Sequence, residues 1–144
     1  MKKLLVLLCL WGVSCLQAQT VWFNVMGDAA DINVNTIEVD PTPVSISGET
    51  RIMWVRVSRS ADRVNLEGVP YRSYVSEVVF DCTNNTARYL LIDFYSQPAW
   101  KGEPYKRAVY SREDIRPMQF LDVEPNPYKR IIRAACQTAG ISNN

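Results

Sequence analysis

The positions of four cysteines constrain the fold of this chain more than any other feature. Cys9 and Cys15 lie in an apolar N-terminal segment, whereas Cys82 and Cys136 are the only cysteines in the rest of the sequence. In an oxidising compartment two such thiols are expected to form a disulfide. If the N-terminal segment directs export, the sequence therefore predicts one bridge, between Cys82 and Cys136.

The N-terminal segment has the organisation of a signal peptide. Lys2 and Lys3 precede an apolar run over residues 4–16, which is too short to span a bilayer as a stable anchor. The small residue Ala18 predicts cleavage after position 18. We therefore expect residues 1–18 to be a signal peptide and residues 19–144 to form a single exported domain.

A lipoprotein signal is the alternative interpretation of the same segment. Cys15 follows a small residue, Ser14, as lipoprotein processing favours, but Gly12 stands where an aliphatic residue is expected. Lipidation at Cys15 would attach the protein to a membrane. Without it, no later segment approaches the roughly 20 apolar residues that a spanning helix needs.

The charge of the exported chain excludes one class of partner. Removal of residues 1–18 takes two of the 16 basic residues and none of the 15 acidic ones, so the formal net charge becomes 14 − 15 = −1. A nearly neutral chain has no electrostatic footprint for nucleic acid. We therefore predict no nucleic-acid partner.

Most of the chain has the period of β-strands. Residues 51–58 form an almost unbroken apolar run, which predicts a central strand covered on much of both faces. Residues 74–81 and 87–95 alternate on either side of a short polar connection and predict a hairpin. In its second strand the alternation places Arg88 and Leu90 on the same face as Ile92 and Phe94. Weaker strands are expected within 20–26, 33–40, 44–47 and 105–111, and residues 59–72 are expected to form a long polar loop.

The C-terminal segment changes to the period of an α-helix. Asn126 is a plausible N-cap, Pro127 a plausible first helical residue and Gly140 a plausible stop. The apolar stripe contains Tyr128, Ile131, Ile132, Ala135, Cys136 and Ala139. Because Cys136 lies on this stripe and Cys82 follows a strand, we expect an α+β fold in which the disulfide tethers the helix to one face of an antiparallel sheet.

The residue types exclude most catalytic chemistry. The chain contains no histidine, so Ser-His-Asp triads, Cys-His pairs and histidine metal sites are impossible. The oxygen-bearing residues Asp28, Asp31, Asn33 and Asn35 are spaced somewhat like a calcium loop. However, Thr36 stands where the loop needs glycine and Thr42 where it needs a bidentate glutamate. We therefore predict a polar strand face here, and no catalytic residue, metal or cofactor.

Basic and aromatic residues interleave in a pattern typical of protein-binding surfaces. Trp100 lies in a predicted turn with Pro98 and Gly102 and is expected to be an exposed contact residue. Scattered solvated charge is the alternative, because acidic residues are interspersed. The candidate binding surface consists of Arg59, Arg63, Arg72, Trp100, Lys101 and Tyr105.

Four stretches together resemble a known family. They are Trp54-Val55-Arg56-Val57, Gly68-Val69-Pro70-Tyr71-Arg72-Ser73, Phe80-Asp81-Cys82 and, in a proline-led helix, Arg133-Ala134-Ala135-Cys136. In this order they resemble the surface-adhesin protein E family of Gram-negative bacteria, over roughly residues 20–137. The resemblance implies a six-stranded antiparallel sheet whose concave side carries the disulfide-tethered helix. It also implies binding to host proteins such as laminin, vitronectin and plasminogen, and the ability to form a homodimer.

Two functions follow from these observations. The first is an exported, non-enzymatic, adhesin-like protein of the outer membrane or cell surface that contacts host extracellular-matrix or plasma proteins. The second is a periplasmic structural or accessory protein of the cell envelope with no host ligand. Lipidation at Cys15 and exposure on intact cells would favour the first.

Overall fold

A computed structural model describes residues 21–138. The predicted signal peptide, Cys15 and the helix stop at Gly140 lie outside these residues. Cleavage after residue 18 and the extent of a single domain over residues 19–144 therefore stay predictions.

The described residues form an antiparallel sheet and one α-helix. The sheet order is β1-β2-β4-β5-β6-β7, while β3 pairs with β4 and β8 pairs with β6. The prediction of an antiparallel sheet with a C-terminal helix is confirmed, with eight strands instead of about six because two short strands pair beside the main path. The elements are β1 (Phe23–Met26), β2 (Thr36–Val39), β3 (Ser45–Ser47), β4 (Thr50–Val64), β5 (Pro70–Asp81), β6 (Thr86–Tyr95), a 3-10 turn (Pro98–Trp100), β7 (Lys106–Val109), β8 (Arg116–Pro117) and α1 (Tyr128–Thr138).

The central strand β4 divides the sheet into two unlike faces. Met53, Val55 and Val57 are fully buried on the face that carries α1, which we call the inner face. Trp54 and Arg56 alternate with them and are half-buried on the opposite, outer face. The apolar run of β4 is therefore fully covered on its inner face and partly covered on its outer face.

Helix α1 packs on the inner face through the predicted stripe. Ile131, Ile132 and Ala135 are buried, whereas the basic residues of the helix are exposed. The Asn126 side-chain oxygen accepts a hydrogen bond from the Tyr128 amide at 3.0 Å, as expected of an N-cap. Cys136 is bonded to Cys82, which confirms the predicted disulfide and fixes the helix to the end of β5.

The prediction of a long loop over residues 59–72 is wrong. Strand β4 continues to Val64 and β5 begins at Pro70, so the two strands form a long hairpin with a short turn. Between the pairs Ser58–Ser73 and Arg63–Tyr71, residues 59–62 lie opposite Arg72 alone. The Arg72 guanidinium donates to the carbonyl oxygens of Arg59 at 2.8 Å and Ser60 at 3.0 Å, so one side chain satisfies carbonyls of the bulge.

A second bulge corrects the predicted faces of β6. Glu77 pairs with Leu91 and Val78 pairs with Tyr89, so Leu90 has no partner of its own. The extra residue inverts the alternation, and Tyr89 becomes buried on the same inner face as Ile92 and Phe94. The expectation that Arg88 shares the face of Ile92 is therefore wrong.

Candidate functional site

A pocket of about 510 Å³ opens on the inner face, beside the half of the sheet that α1 covers. Its floor comes from β5 and β6, one wall from the tip of the β4–β5 hairpin, and the other from residues 114–122. A volume of this size suits a small ligand or a large side chain. The lining includes Arg63, Val64, Leu66, Glu67, Tyr71, Tyr74, Tyr89, Ile92, Phe94, Tyr110, Asp114, Ile115, Arg116, Leu121 and Asp122.

The floor of the pocket is aromatic. Tyr74 and Tyr89 are only 5% and 7% exposed, and their rings meet edge to face with centroids 6.2 Å apart. Tyr71 lies 5.6 Å from both Tyr74 and Phe94, measured between ring centroids. Such contacts hold the rings in fixed orientations, so the floor is a rigid aromatic surface.

The hydroxyl groups of Tyr74 and Tyr89 form a buried pair. Their oxygens are 2.9 Å apart, which is a hydrogen bond in which either can donate. Burial raises the pKa of both phenols well above the usual value, so both stay protonated at neutral pH. The two hydroxyl groups carry one proton each, and the hydrogen bond between them uses one of these two protons. Within residues 21–138 neither hydroxyl has a second hydrogen-bond partner, which leaves one donor unused at the floor.

Exposed aliphatic side chains surround the mouth of the pocket. Leu66 at the hairpin tip is 88% exposed and Leu121 on the opposite wall is 78% exposed. Val64 and Ile115 extend the same rim and are also mostly exposed. Four large aliphatic residues from two separate segments thus form a single apolar rim, a feature that marks interaction sites on soluble proteins.

The charges at the pocket are paired across it. The Asp122 carboxylate accepts from Arg59 at 2.5 Å and from Arg63 at 3.0 Å. Arg116 lies 2.9 Å from Glu67 and 3.5 Å from Asp114. The lining itself carries two cations, Arg63 and Arg116, and three carboxylates, Glu67, Asp114 and Asp122. The buried Arg59 behind the wall pairs with Asp122 and brings the sum to 3 − 3 = 0. The pocket is therefore electrostatically balanced and is not built to attract an anion.

Comparison with known protein families identifies the family of this chain. A model of the surface-adhesin protein E family matches residues 22–137. The chain belongs to the surface-adhesin protein E family. It is accordingly an adhesin-like surface protein, which implies export, and its family is one of adhesins.

Individual relatives are distant. No curated protein matches the chain. The crystal structure of protein E from non-typeable Haemophilus influenzae is similar with 14% sequence identity and a TM-score of 0.44, over 85% of this chain and 76% of that one.

The predicted basic residues of this family member do not form one exposed patch. Arg59 is only 2% exposed, with its guanidinium bonded to Asp122 and to the side-chain oxygen of Asn35. The Arg72 guanidinium is hydrogen-bonded to the carbonyl oxygens of Arg59 and Ser60 in the β4 bulge. Arg63 is the partly exposed member at the pocket rim. Two of the three arginines therefore support the backbone and the walls of the pocket from beneath.

The expectation that Trp100 is exposed is wrong, while its role as a contact residue stays a prediction. Its indole N–H donates to the backbone oxygens of Val57 at 3.2 Å and Tyr74 at 3.0 Å, and the side chain is half-buried. The Arg56 guanidinium lies between the rings of Trp22 and Trp100, 4.2 and 4.1 Å from their centroids. A side chain in a turn is normally exposed, but this indole is held against β4 and β5 by its hydrogen bonds to their backbone oxygens.

Lys101 and Tyr105 are exposed, as expected, but lie apart from the pocket lining. The Tyr105 hydroxyl donates to the Pro70 carbonyl oxygen and so links the start of β5 to the segment before β7. The six predicted residues thus do not converge on one surface. Sequence reasoning missed Tyr74 and Tyr89 as pocket residues, because their common orientation depends on the bulge at Leu90.

The oxygen-rich segment at residues 28–35 serves its own backbone. Asp28 accepts from the Ala30 amide and Asp31 from the Asn33 amide, each at 2.9 Å, while Asn35 accepts from Arg59 and from the Ser60 amide. Over residues 21–138 no three Cys, Asp or Glu side chains are grouped as metal ligands. No helix in that part of the chain has the length and apolarity to cross a membrane.

Proposed function

We propose that this protein binds a host extracellular-matrix or plasma protein through the mouth of the inner-face pocket. The observation that carries the proposal is the exposed aliphatic rim formed by Val64, Leu66, Ile115 and Leu121. Exposing this much apolar surface in water is unfavourable, and a bound partner would remove it from water.

The surroundings of the rim favour a protein partner. Binding energy in protein interfaces concentrates in an apolar, aromatic centre with polar groups around it. Here the aromatic floor lies at the centre, and the partly exposed ion pairs of Arg63 and Arg116 lie at the periphery. The paired charges would fix the orientation of the bound partner more than they would increase its affinity.

Membership of an adhesin family supports a host protein as the partner, and laminin, vitronectin and plasminogen are the first candidates. A periplasmic partner within the cell envelope is the second candidate. The glycine at position 12 favours it, because it weakens the lipoprotein signal that would place the protein on an outer surface. Labelling of intact cells with an antibody against the folded domain distinguishes these two locations.

Solid-phase binding tests the proposal. The oxidised chain over residues 19–144 is titrated onto immobilised laminin, vitronectin and plasminogen, with a chemically reduced sample as the control. We expect saturable binding to at least one of the three. Absence of saturable binding to all three, by a sample that is folded and oxidised, would overturn the host-binding proposal.

A further inference from the structure

We propose that the pocket receives one neutral phenolic ring, supplied by a tyrosine side chain of the bound polypeptide. This inference rests on the proposed function and specifies what the pocket contributes to it. Four properties of the site lead to this ligand: its aromatic floor, its unused hydroxyl donor, its balanced charge and its apolar rim.

The aromatic floor selects a flat ring. The rings of Tyr71, Tyr74 and Phe94 already pack against one another at 5.6 to 6.2 Å between centroids, which leaves their outward surfaces to the pocket. A further ring entering the pocket can make the same edge-to-face or offset contacts. A volume of about 510 Å³ admits a ring together with part of the chain that carries it.

The buried hydroxyl pair selects an oxygen on that ring. Tyr74 and Tyr89 share one hydrogen bond and leave one phenolic proton without an acceptor among the described residues. A buried donor left unpaired is unfavourable, so a ligand that brings an acceptor gains affinity over one that does not. A phenolic oxygen can accept that proton and also donate its own.

The charge balance selects a neutral group. Each rim arginine already lies against a carboxylate, namely Arg63 with Asp122 and Arg116 with Glu67. A phosphate or carboxylate entering the pocket would have to compete with these carboxylates and lose its own hydration. An uncharged phenol does not compete with these carboxylates and has no charge whose hydration is lost.

The rim indicates that the ring belongs to a polypeptide. Leu66 and Leu121 line opposite sides of the pocket mouth and are 88% and 78% exposed, so a free small phenol at the floor would leave them in water. Apolar residues on either side of a tyrosine would cover both. A polypeptide therefore accounts for the floor and the rim together.

The first experiment measures the ring site alone, by ligand-observed NMR with p-cresol, toluene and 4-methylphenyl phosphate. We expect p-cresol to bind at least threefold more tightly than toluene, and the phosphate to bind most weakly. The double variant Tyr74→Phe/Tyr89→Phe removes both hydroxyls and keeps the shape of the floor, so it leaves no buried partner unpaired. In this variant the preference for p-cresol over toluene should disappear while toluene still binds.

Tyr110→Phe is the matched control for that variant, because the Tyr110 hydroxyl faces Glu67 and not the hydroxyl pair. It should keep the preference for p-cresol. Equal affinity for p-cresol and toluene in the unmodified protein, or tightest binding of the phosphate, would overturn the assignment of the ring and its oxygen.

The second experiment tests the polypeptide source. The peptide acetyl-Ser-Leu-Tyr-Leu-Ser-amide should bind at least tenfold more tightly than N-acetyltyrosinamide and more tightly than its phenylalanine analogue. Leu66→Glu/Leu121→Glu should lower peptide affinity to that of N-acetyltyrosinamide and keep the preference for p-cresol over toluene, which depends on the hydroxyl pair at the floor. A peptide that binds no more tightly than N-acetyltyrosinamide would overturn the polypeptide source.

These experiments fail separately from the proposed function because none uses a host protein. If the phenolic peptide binds and no matrix protein does, the host partner is wrong and the ring site stands. If a matrix protein binds and p-cresol does not, the ring site is wrong and host binding stands.

Discussion

The guanidinium carbon of Arg56 lies 4.1 Å from the ring centroid of Trp100 on the outer face of the sheet. Together with Trp22 on its other side and Glu38 at 2.5 Å, this contact fixes the 3-10 turn and the start of the described chain to β2 and β4. A guanidinium between two indoles is a stabilising cation–π arrangement. The tryptophan that the sequence marks as a binding residue therefore supports the scaffold.

Trp100→Phe should lower the free energy of unfolding and leave partner binding unchanged. The substitution removes the N–H that satisfies two backbone carbonyls and weakens the cation–π contact, for which we expect a loss of roughly 1–3 kcal/mol. Urea unfolding monitored by circular dichroism measures it. Reduced partner binding with unchanged unfolding would instead make Trp100 a contact residue.

Cys136→Ala should destabilise the domain and keep the sheet. The bridge joins residues 54 apart in sequence, and the chain-entropy model gives about 4 kcal/mol for a loop of this length. We expect a lower melting temperature with the β-sheet circular dichroism retained. Reductant should lower the melting temperature of the unmodified protein but not of the variant. Equal melting temperatures of the two proteins under oxidising conditions would contradict a stabilising bridge.

Asp122→Ala should destabilise the protein more than Arg63→Ala. The Asp122 carboxylate holds the buried Arg59 guanidinium, and its loss leaves that cation beside Arg63 with Asn35 as its one remaining side-chain partner among residues 21–138. We expect roughly 2–3 kcal/mol, less than for fully buried pairs because Asp122 is half-exposed. Arg63→Ala should cost less than about 1 kcal/mol, since its ion pair is partly solvated. Denaturant titration of the two variants side by side gives the order, and the reverse order would refute this role of Asp122.

Stability should fall steeply in alkaline solution because of the phenol pair. Burial raises the pKa of Tyr74 and Tyr89 in the folded protein above 10.0, their ordinary value. The protonated forms thus contribute stability that is fully present below pH 10 and is lost as the pH rises toward the folded-state pKa. Urea titrations from pH 8 to pH 11, with tyrosinate absorbance followed in parallel, measure the loss. Tyr74→Phe/Tyr89→Phe should show a shallower decline, and an identical decline would contradict the burial of these phenols.

Much of the scaffold can be predicted from sequence because it depends on the hydrophobic periodicity of the strands and the helix. The alternation of Tyr74 to Phe80, the helical stripe through Ile131 and the pair Cys82–Cys136 all survive in the structure. Each follows from a local pattern or from the redox compartment, so no knowledge of distant contacts is needed.

The candidate site could not be predicted because it depends on irregularities. The bulge at Leu90 turns Tyr89 inward, and the bulge bridged by Arg72 extends the hairpin whose tip forms one pocket wall. Both bulges interrupt the regular alternation of a strand, and both depend on contacts between residues that are distant in sequence. The opposite wall, which carries Leu121, has little regular structure, so no periodicity marks it.

Binding of partner proteins at the mouth of the inner-face pocket can be measured with two variants. Leu66→Glu/Leu121→Glu is compared with Val109→Glu in saturation binding to whichever matrix protein the unmodified chain binds. Val109 is also exposed and aliphatic, at 69%, but lies in β7 opposite Leu91 on the outer face. We predict at least a tenfold loss of affinity for the rim variant and unchanged affinity for Val109→Glu. Unchanged binding of the rim variant, or an equal loss in both variants, would show that the partner does not bind at the pocket mouth.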